Sequence, residues 1–488
     1  MTRIAIGILL ASGLMAKTEV VALPGSSPVV NFRFVFRTGA ASDPAGKPGT
    51  AALTTAMLTR GGTRALTYKQ IVDALFPMAA SISGQVDKDM IVIEVATNVD
   101  NLDAYYAILR DAVLDPGWRA DDLQRLRDDA INYLRVSLRG NNDEELGKEV
   151  LYSDIYAGHP YGFNNVGTVS SLQSLTLDDL RKFHREHFTQ ANLIIGIAGG
   201  YPKGFLDRVK ADFAKLPKGT EETAPLPQPQ PVTQTEVTMI EKQTRSVAYS
   251  IGFPIDVKRG HPDFPALLLA QAYLGQHRLG GRLYSRIREA RGLNYGDYSY
   301  IEYFPRGMFQ FEPDPNQARR QQIFQIWIRP VEPPTAHFTV RLAMFELDRF
   351  VKDGLTETEF RETRNFLTKY VNLLTKTKDA ELGYAIDSLV YGIPNYNSYL
   401  KTSLAKLTRD DVNRAIRKHL RADRLRMVIV AAGCEKLKQG LLAEDPSPMT
   451  YNSPKPEDVT AEDKIVERLK LGLDPGNIRI IPVDRVFE

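Results

Sequence analysis

Histidine and cysteine, two residue types that commonly carry enzyme chemistry, are sparse in this 488-residue chain, which has seven histidines and one cysteine. His184 and His187 lie three residues apart, a spacing that places two imidazoles on one face of a helix, where they could bind a metal ion. The more common alternative is a pair of ordinary surface or core histidines. The single cysteine, Cys434, excludes an intrachain disulfide and a cysteine-rich zinc module.

A glycine-rich segment in the second half of the chain is another candidate site. Gly275, Gly280 and Gly281 could let a substrate strand approach the backbone closely, because glycine has no β-carbon. They could equally form only a loop. A Walker-type phosphate-binding loop is excluded, because no Gly-Lys-Ser/Thr sequence follows these glycines.

The composition is typical of a soluble globular protein, with 43% hydrophobic and 25% charged residues. A net charge of +3 gives no electrostatic signature of nucleic-acid binding. Beyond the N-terminus no apolar stretch is long enough to form an integral membrane segment. The apolar run at residues 4–16 follows Arg3 and fits a signal-peptide core. We therefore predict a periplasmic or exported protein, with a cytoplasmic location as the alternative.

Hydrophobic periodicity predicts an α+β fold. Apolar stretches indicate strands, and apolar residues at helical spacing indicate helices. The predicted strands are residues 29–36, 91–96 and 193–198, and the predicted helices are residues 49–60, 101–115 and 121–139.

The second half of the chain repeats the order of features in the first half. Residues 161–199 contain Tyr-Gly, Leu-Thr-x-Asp-Asp, His and Ala-Gly in an order that recurs at residues 391–433. Residues 117–134 likewise resemble residues 354–371. Two matching segments in the same order indicate a duplication.

This duplication predicts two similar domains that enclose a cleft. Residues 217–235 are rich in proline, threonine and glutamine, which is typical of an exposed linker. The predicted organisation is a possible signal peptide at 1–16, domains at 17–216 and 236–437 joined by the linker 217–235, and an extension at 438–488. We expect the extension to dock on the domains and assign no chemistry to it.

Three segments resemble the insulinase-like (M16) metallopeptidase family. Residues 28–63 are similar to the family's opening strand and metal-site helix, and residues 156–162 (YAGHPYG) to its Tyr-x-x-His-Pro-Tyr-Gly stretch. Residues 274–295 resemble the glycine-rich segment and Arg-Glu-x-x-Gly-Leu-x-Tyr signature of the C-terminal domain. The resemblance extends from about residue 20 to residue 433 and implies two homologous α/β sandwich domains arranged as a clamshell.

The resemblance also implies that the zinc site is degenerate. Active M16 enzymes bind zinc through an inverted His-x-x-Glu-His helix and a distant Glu. Here the two histidine positions fall on Ala52 and Ala56, the general base on Thr55 and the distal ligand on Tyr133. Because alanine has no donor atom and a threonine hydroxyl is no base near neutral pH, we expect no metal in this chain.

The family's second-domain signature is retained in Arg288 and Tyr295. The resemblance implies that these two side chains reach across the clamshell to the substrate carbonyl, where they stabilise the developing oxyanion. The alternative is a salt-bridged arginine and a half-buried tyrosine with no role in binding.

A chain that lacks the metal ligands but keeps this Arg/Tyr pair resembles one half of a split active site. The leading hypothesis is a subunit that is inactive alone, binds extended peptides and lends Arg288 and Tyr295 to a zinc-bearing M16 partner in a heterodimer or larger assembly. The alternative is a structural or peptide-binding pseudoenzyme, like the non-catalytic M16 core subunits of respiratory complexes, in which the pair is vestigial.

Overall fold

Two β-sheets, one in each half of the chain, organise the molecule. The computed structural model describes residues 18–221, 225–275, 281–304 and 312–488. The possible signal peptide at 1–16 and Gly280 lie outside these residues. The first sheet contains β1 (Glu19–Pro24), β2 (Val29–Phe36), β3 (Ser83–Val86), β4 (Ile91–Asn98) and β5 (Leu193–Gly199). The second contains β6 (Glu236–Glu241), β7 (Val247–Ile255), β8 (Asn294–Tyr300), β9 (Gln322–Val331), β10 (Arg426–Ala431) and β11 (Ile478–Pro482).

Helices cover both faces of the sheets. The helices of the first half are α1 (Thr50–Arg60), α2 (Tyr68–Leu75), α3 (Leu102–Leu114), α4 (Ala120–Asn132), α5 (Asp143–Ile155), α6 (Val169–Ser174), α7 (Leu177–His187) and α8 (Phe205–Phe213). Those of the second half are α9 (Phe264–Gly275), α10 (Ala336–Asp353), α11 (Glu357–Leu374), α12 (Lys378–Tyr391), α13 (Tyr396–Lys406), α14 (Arg409–His419), α15 (Cys434–Ala443) and α16 (Glu457–Val466). Among the described residues, no helix combines the length and apolar character needed to cross a bilayer.

The two sheets share one topology. The first sheet has the strand order β1-β5-β2-β4-β3, and the second has β6-β10-β7-β9-β8 with β11 added beside β6. In each sheet the first strand of the repeat (β1 or β6) pairs parallel with its last strand (β5 or β10). The added strand β11 also pairs parallel with β6, and the other pairings are antiparallel. The expected duplication and α+β class are therefore confirmed.

Each half contributes one helix to the sheet of the other half. Helix α5 packs on the second sheet, where Gly147 lies against Ser250 of β7, and Leu151 lies close to Gly252. Helix α12 packs on the first sheet, where the side chain of Ile386 lies close to Gly196 of β5. Each sheet is thus covered on one face by helices of its own half and on the other by a helix of the opposite half.

Ion pairs and hydrogen bonds close the boundary between the halves. Asp87 pairs with Arg319, and both side chains are 2% exposed. A hydrogen bond of 2.9 Å joins His159 Nε2 and the Pro227 carbonyl, and Tyr161 accepts a hydrogen bond from the backbone N–H of Arg320. The YAGHPYG segment therefore joins the linker and the second half to the first.

The predicted helix at residues 121–139 changes character at its midpoint. Helix α4 ends at Asn132, and residues Tyr133–Leu138 continue as a π-helix, which accommodates one additional residue per turn. A second π-helix, Tyr284–Glu289, precedes β8. The two π-helices contain Tyr133 and Arg288, respectively, and π-helical turns are frequent at functional sites.

Candidate functional site

Helix α1 is held at its N-terminus by a buried carboxylate. Asp43 accepts hydrogen bonds from the backbone N–H groups of Gly49 (2.6 Å) and Ala51 (2.7 Å). Burial raises the pKa of Asp43 to about 7, although these two hydrogen bonds act to lower it. Gly49 has φ +94°, and a β-carbon there would lie 2.4 Å from the carbonyl oxygen of Val166, so glycine is required where the helix begins.

The helix places Ala52, Thr55 and Ala56 beside the edge strand β3. Thr55 is 2% exposed, and a β-carbon on Gly84 of β3 would lie 2.6 Å from its methyl group. The Thr55 hydroxyl has no hydrogen-bond partner, and the two alanines are half-buried. This face of α1 therefore presents two methyl groups and one buried hydroxyl.

Tyr133 lies on the first π-helix, whose inner residues Leu134 and Leu138 share a hydrophobic cluster with Leu53 and Met57 of α1. Its side chain is 39% exposed. Burial and the negative charges of Glu149 and Glu145 raise the pKa of Tyr133 to about 12, so it remains a neutral phenol at physiological pH.

The residues around these positions do not fit a zinc ion. Zinc in proteins is held by imidazole, thiolate or carboxylate, and the four aligned side chains offer none of these. The described part of the chain contains no cluster of three or more such ligands that could hold a metal ion. Lys148 pairs with Glu145 at 2.5 Å, so a lysine ammonium already neutralises one of the nearby carboxylates.

Sequence analysis missed this charged cluster of α5 and its surroundings. Glu149 accepts a hydrogen bond of 2.9 Å from Asn164, and burial raises its pKa. Lys88 is 3% exposed and donates a hydrogen bond to the carbonyl of Phe163. Burial, and to a smaller extent repulsion from Arg319, lowers the pKa of Lys88 to about 8. The usable signal was the run of charged residues at 143–149, but the packing of α5 on the opposite sheet buries Lys148 and leaves the acidic residues half-buried.

The two histidines of the spaced pair contact different groups. His184 Nε2 lies 3.1 Å from the carbonyl of Val113, and burial lowers its pKa to about 4. His187 Nδ1 lies 3.3 Å from the hydroxyl of Thr38. Both imidazoles therefore make the contacts expected of ordinary surface or core histidines.

Arg288 and Tyr295 lie together in the structure. The guanidinium carbon of Arg288 is 4.4 Å from the ring centre of Tyr295 and 5.1 Å from that of Tyr284. Gly292, with φ +67°, turns the chain between the second π-helix and β8, and its N–H donates to the Arg288 carbonyl at 2.7 Å. Tyr295 is 51% exposed, so the pair presents a stacked guanidinium and phenol at the surface of the second half.

Behind this pair lies Asp297, a fully buried carboxyl. Burial raises the pKa of Asp297 to about 8, against the opposing influence of a hydrogen bond from Asn294 and the charge of Arg288. One carboxyl oxygen, Oδ2, has no hydrogen-bond partner. Sequence analysis missed Asp297, although an acidic residue within a strand that is otherwise aromatic and small is an unusual choice.

The candidate substrate glycines are positioned by local packing. Gly275 ends α9, and a β-carbon there would lie 2.1 Å from the backbone nitrogen of Ser299 in β8. Gly281 is buried and its carbonyl accepts from the N–H of Ser285 as the next helical segment begins. The structure thus gives Gly275 a packing contact with the strand that carries Tyr295.

Comparisons with known proteins agree on one family. Residues 174–367 match the model of the peptidase M16 inactive domain. A non-peptidase homolog, YmxG of Helicobacter pylori, is 22% identical over 413 residues, which cover 83% of this chain and 89% of that protein. An uncharacterized zinc protease of Mycobacterium bovis, Mb2805c, is 26% identical over 200 residues, and the match spans 45% of its length.

The fold is similar to that of solved structures. The crystal structure of a peptidase M16 inactive domain from Pseudomonas fluorescens has a TM-score of 0.74 to this chain at 24% identity, and the alignment covers 86% of this chain and 96% of that one.

Proposed function

Because this chain is a homologue of the M16 peptidases that carries the family's inactive domain, we propose that it is a non-catalytic subunit of a two-chain peptidase. It binds extended peptides and supplies Arg288 and Tyr295 to the active site of a zinc-bearing M16 partner. One observation carries the proposal: a half-buried arginine stacks on an exposed tyrosine, whereas the aligned metal positions hold methyl, hydroxyl and phenol groups.

The chemistry of the pair suits a peptide carbonyl. A guanidinium is always protonated and a phenol is a neutral donor, so both can hydrogen-bond to an oxygen that gains negative charge during hydrolysis. Stacking on Tyr284 and Tyr295 limits the freedom of the Arg288 side chain, which reduces the entropy lost on binding. Water activation belongs to the partner, because no ligand set for zinc is present at the aligned positions here.

The partly exposed edge strand β3 offers backbone groups to an extended peptide, whereas residues 296–300 of the edge strand β8 are buried. Strand β3, which adjoins α1, ends the first sheet, and β8, which carries Tyr295, ends the second. Exposed sheet edges bind peptides by adding a strand, with backbone hydrogen bonds that do not depend on sequence. We propose that the pair of chains works in the periplasm, on the basis of the apolar run behind Arg3.

Reconstitution with a zinc-bearing M16 chain from the same genome tests the proposal. Replacing Arg288→Ala and Tyr295→Phe together should lower kcat/KM of the reconstituted pair by about 100-fold or more, because oxyanion donors contribute that much to such reactions. The matched control is Arg125→Ala with Tyr68→Phe, a stacked pair at 5.0 Å elsewhere in the chain, which should leave the rate unchanged. An unchanged rate for the Arg288/Tyr295 variant would disprove the lending role.

A structural or peptide-binding pseudoenzyme is the second candidate. It is favoured by the Helicobacter pylori relative, whose name describes a non-peptidase homolog. On this account the isolated chain binds extended peptides, and the double variant has no effect on peptidase activity in any reconstituted pair. The reconstitution experiment therefore separates the two candidates.

A further inference from the structure

The C-terminal segment, residues 457–488, contacts both π-helices. It begins with α16, continues through β11 of the second sheet and reaches residues 486–488 on the first half. Sequence analysis assigned no chemistry to this part of the chain. Its contacts with the helix that carries Arg288 are nonetheless among the most buried ion pairs of the second half.

Two carboxylates of α16 hold the second π-helix on either side of Arg288. Glu462 pairs with Arg286, two residues before Arg288, and with Arg291, three residues after it, the latter at 2.7 Å. Asp463 accepts from Arg291 Nε at 2.8 Å. Arg291 in turn donates to the carbonyl of Arg286 at 2.8 Å, so the network closes on the backbone that flanks Arg288.

The network is buried apart from Arg286, whose side chain is 29% exposed. The side chain of Arg291 is 0% exposed, and those of Glu462 and Asp463 are 9% and 7% exposed. Burial would raise the pKa of Glu462, but hydrogen bonds from Arg286 and Arg291 outweigh it and hold the pKa below its ordinary value. Removal of one partner of such a buried ion pair is strongly destabilising, because it leaves the other charge without solvent.

The same segment also binds the first π-helix. Glu488 pairs with Arg135 and Arg139, both at 2.8 Å, two and six residues after Tyr133. The backbone carbonyls of Phe487 and Glu488 accept from the N–H groups of Val169 and Ser170 at the start of α6. One continuous segment therefore connects the helix of the degenerate metal position with the helix of Arg288.

We propose that the C-terminal segment positions the peptide-binding pair, with Glu462 and Asp463 as positioning residues for Arg288 and Tyr295. The effect on peptide binding that this inference predicts rests on the proposed function. The carboxylates do not touch the peptide; they fix Arg286 and Arg291, and these fix the turn on which Arg288 and Tyr295 stack.

The test compares the charge-neutral variant Glu462→Gln/Asp463→Asn with the native chain by hydrogen–deuterium exchange and by peptide binding. Amide exchange in residues 284–295 should become faster while exchange in β7 stays native, because Arg286 and Arg291 lose their ion pairs with α16. The same change also removes the contacts of Arg349 with Glu462 and of Tyr451 with Asp463. Affinity for a fluorescently labelled extended peptide should fall by about tenfold or more. The matched control is Glu457→Gln/Asp458→Asn, which neutralises two exposed carboxylates of the same helix and should change neither result.

A variant that combines Glu462→Gln/Asp463→Asn with Arg288→Ala/Tyr295→Phe shows whether the two carboxylates act through the Arg/Tyr pair or contact the peptide themselves. If the carboxylates act through the pair, the combined variant binds peptide no more weakly than Arg288→Ala/Tyr295→Phe alone, since neighbours acting through one group are not additive. A further loss of affinity in the combined variant would overturn the positioning role.

The exchange and binding results distinguish this inference from the proposed function. If exchange in residues 284–295 rises but Arg288→Ala/Tyr295→Phe binds peptide like the native chain, the segment positions the pair and the proposed function is wrong. Native exchange in folded Glu462→Gln/Asp463→Asn would overturn the inference. Should that variant not fold, Glu462→Asp keeps the charge and shortens the side chain; it should still accelerate exchange there, and native exchange would again overturn the inference.

Discussion

At the scale of single residues, the second half combines a half-buried arginine, stacked on an exposed tyrosine, with a buried carboxyl group. Arg288 stacks on Tyr295 at the surface, and Asp297 lies fully buried two residues further along the same strand. A buried carboxyl without a full set of partners favours its neutral form, because transfer of the charged form from water is costly. The surface pair therefore rests on a titratable group whose charge depends on pH near neutrality.

The raised pKa of Asp297 predicts a pH-dependent stability difference. Its pKa is about 8 in the folded chain against an ordinary 3.8, so between these values the folded protein retains a proton that the unfolded chain has released. Stability is therefore lost as pH rises, by up to about 1.4 kcal/mol per pH unit, and the loss is complete above the folded pKa. Asp297→Asn does not titrate and should gain stability relative to the native chain from pH 5 to 8.

Urea denaturation of both chains at several pH values measures this difference. The relative stability of Asp297→Asn should grow through this interval and then level off. A difference that is independent of pH would show that the carboxyl is ionised throughout. Asp458→Asn, at an exposed position of α16, is the control and should show no comparable trend.

At the scale of elements, close backbone packing positions the strand of the Arg/Tyr pair. Helix α9 ends at Gly275 directly against β8, and Gln271 of the same helix donates to the Ser299 carbonyl at 2.8 Å. From the sequence, Gly275 was interpreted as a position where a substrate strand approaches the backbone or as part of a loop only. The packing contact with β8 was not predicted, because it joins Gly275 to Ser299, which is distant in the sequence and which local patterns do not reveal.

A methyl group at position 275 should displace β8. Gly275→Ala places a β-carbon 2.1 Å from the Ser299 nitrogen, which is backbone and cannot rotate away. We expect a loss of about 1–3 kcal/mol in the free energy of unfolding, as is usual for overpacked sites. The measurement is chemical denaturation, with Gly25→Ala as control because no atom lies within 4 Å of a β-carbon there. Equal stabilities for the two variants would contradict the packing role.

The elements themselves were largely predictable. The strands at 29–36, 91–96 and 193–198 and the capped helices that begin after Thr176 and Thr408 follow from local patterns, and the structure contains each of them. The π-helix at Tyr133–Leu138 was not predictable, because the apolar residues there keep near-helical spacing. Only the packing of Leu134 and Leu138 distinguishes the π-helix from a continued α-helix.

At the scale of the whole molecule, the two halves are interdependent because α5 packs on the second sheet and α12 packs on the first. Each sheet loses the cover of one face if the opposite half is removed, and the buried Asp87–Arg319 pair joins the halves directly. The positions of α1 and β8 are thereby fixed relative to each other by packing. Sequence repeats indicated the duplication. The packing of α5 and α12 on the sheet of the opposite half depends on contacts between distant segments, which local patterns do not encode.

The C-terminal segment extends this interdependence. Its contacts with Arg286, Arg291 and Arg139 connect the two π-helices, although the sequence of the segment has no recognisable motif. The Arg/Tyr pair could be predicted from its signature, whereas its supporting carboxylates could not, because acidic residues on a surface helix usually face solvent. The geometry of the Arg/Tyr pair therefore depends on contacts with a distant segment of the chain.

Zinc content and peptide cleavage, measured on the purified chain alone and after reconstitution with a zinc-bearing M16 chain, test the central claim most directly. We expect that the isolated chain binds no stoichiometric zinc and does not cleave extended peptides. We expect chelator-sensitive cleavage only in the reconstituted pair. One zinc ion per isolated chain together with chelator-sensitive cleavage would contradict the central claim.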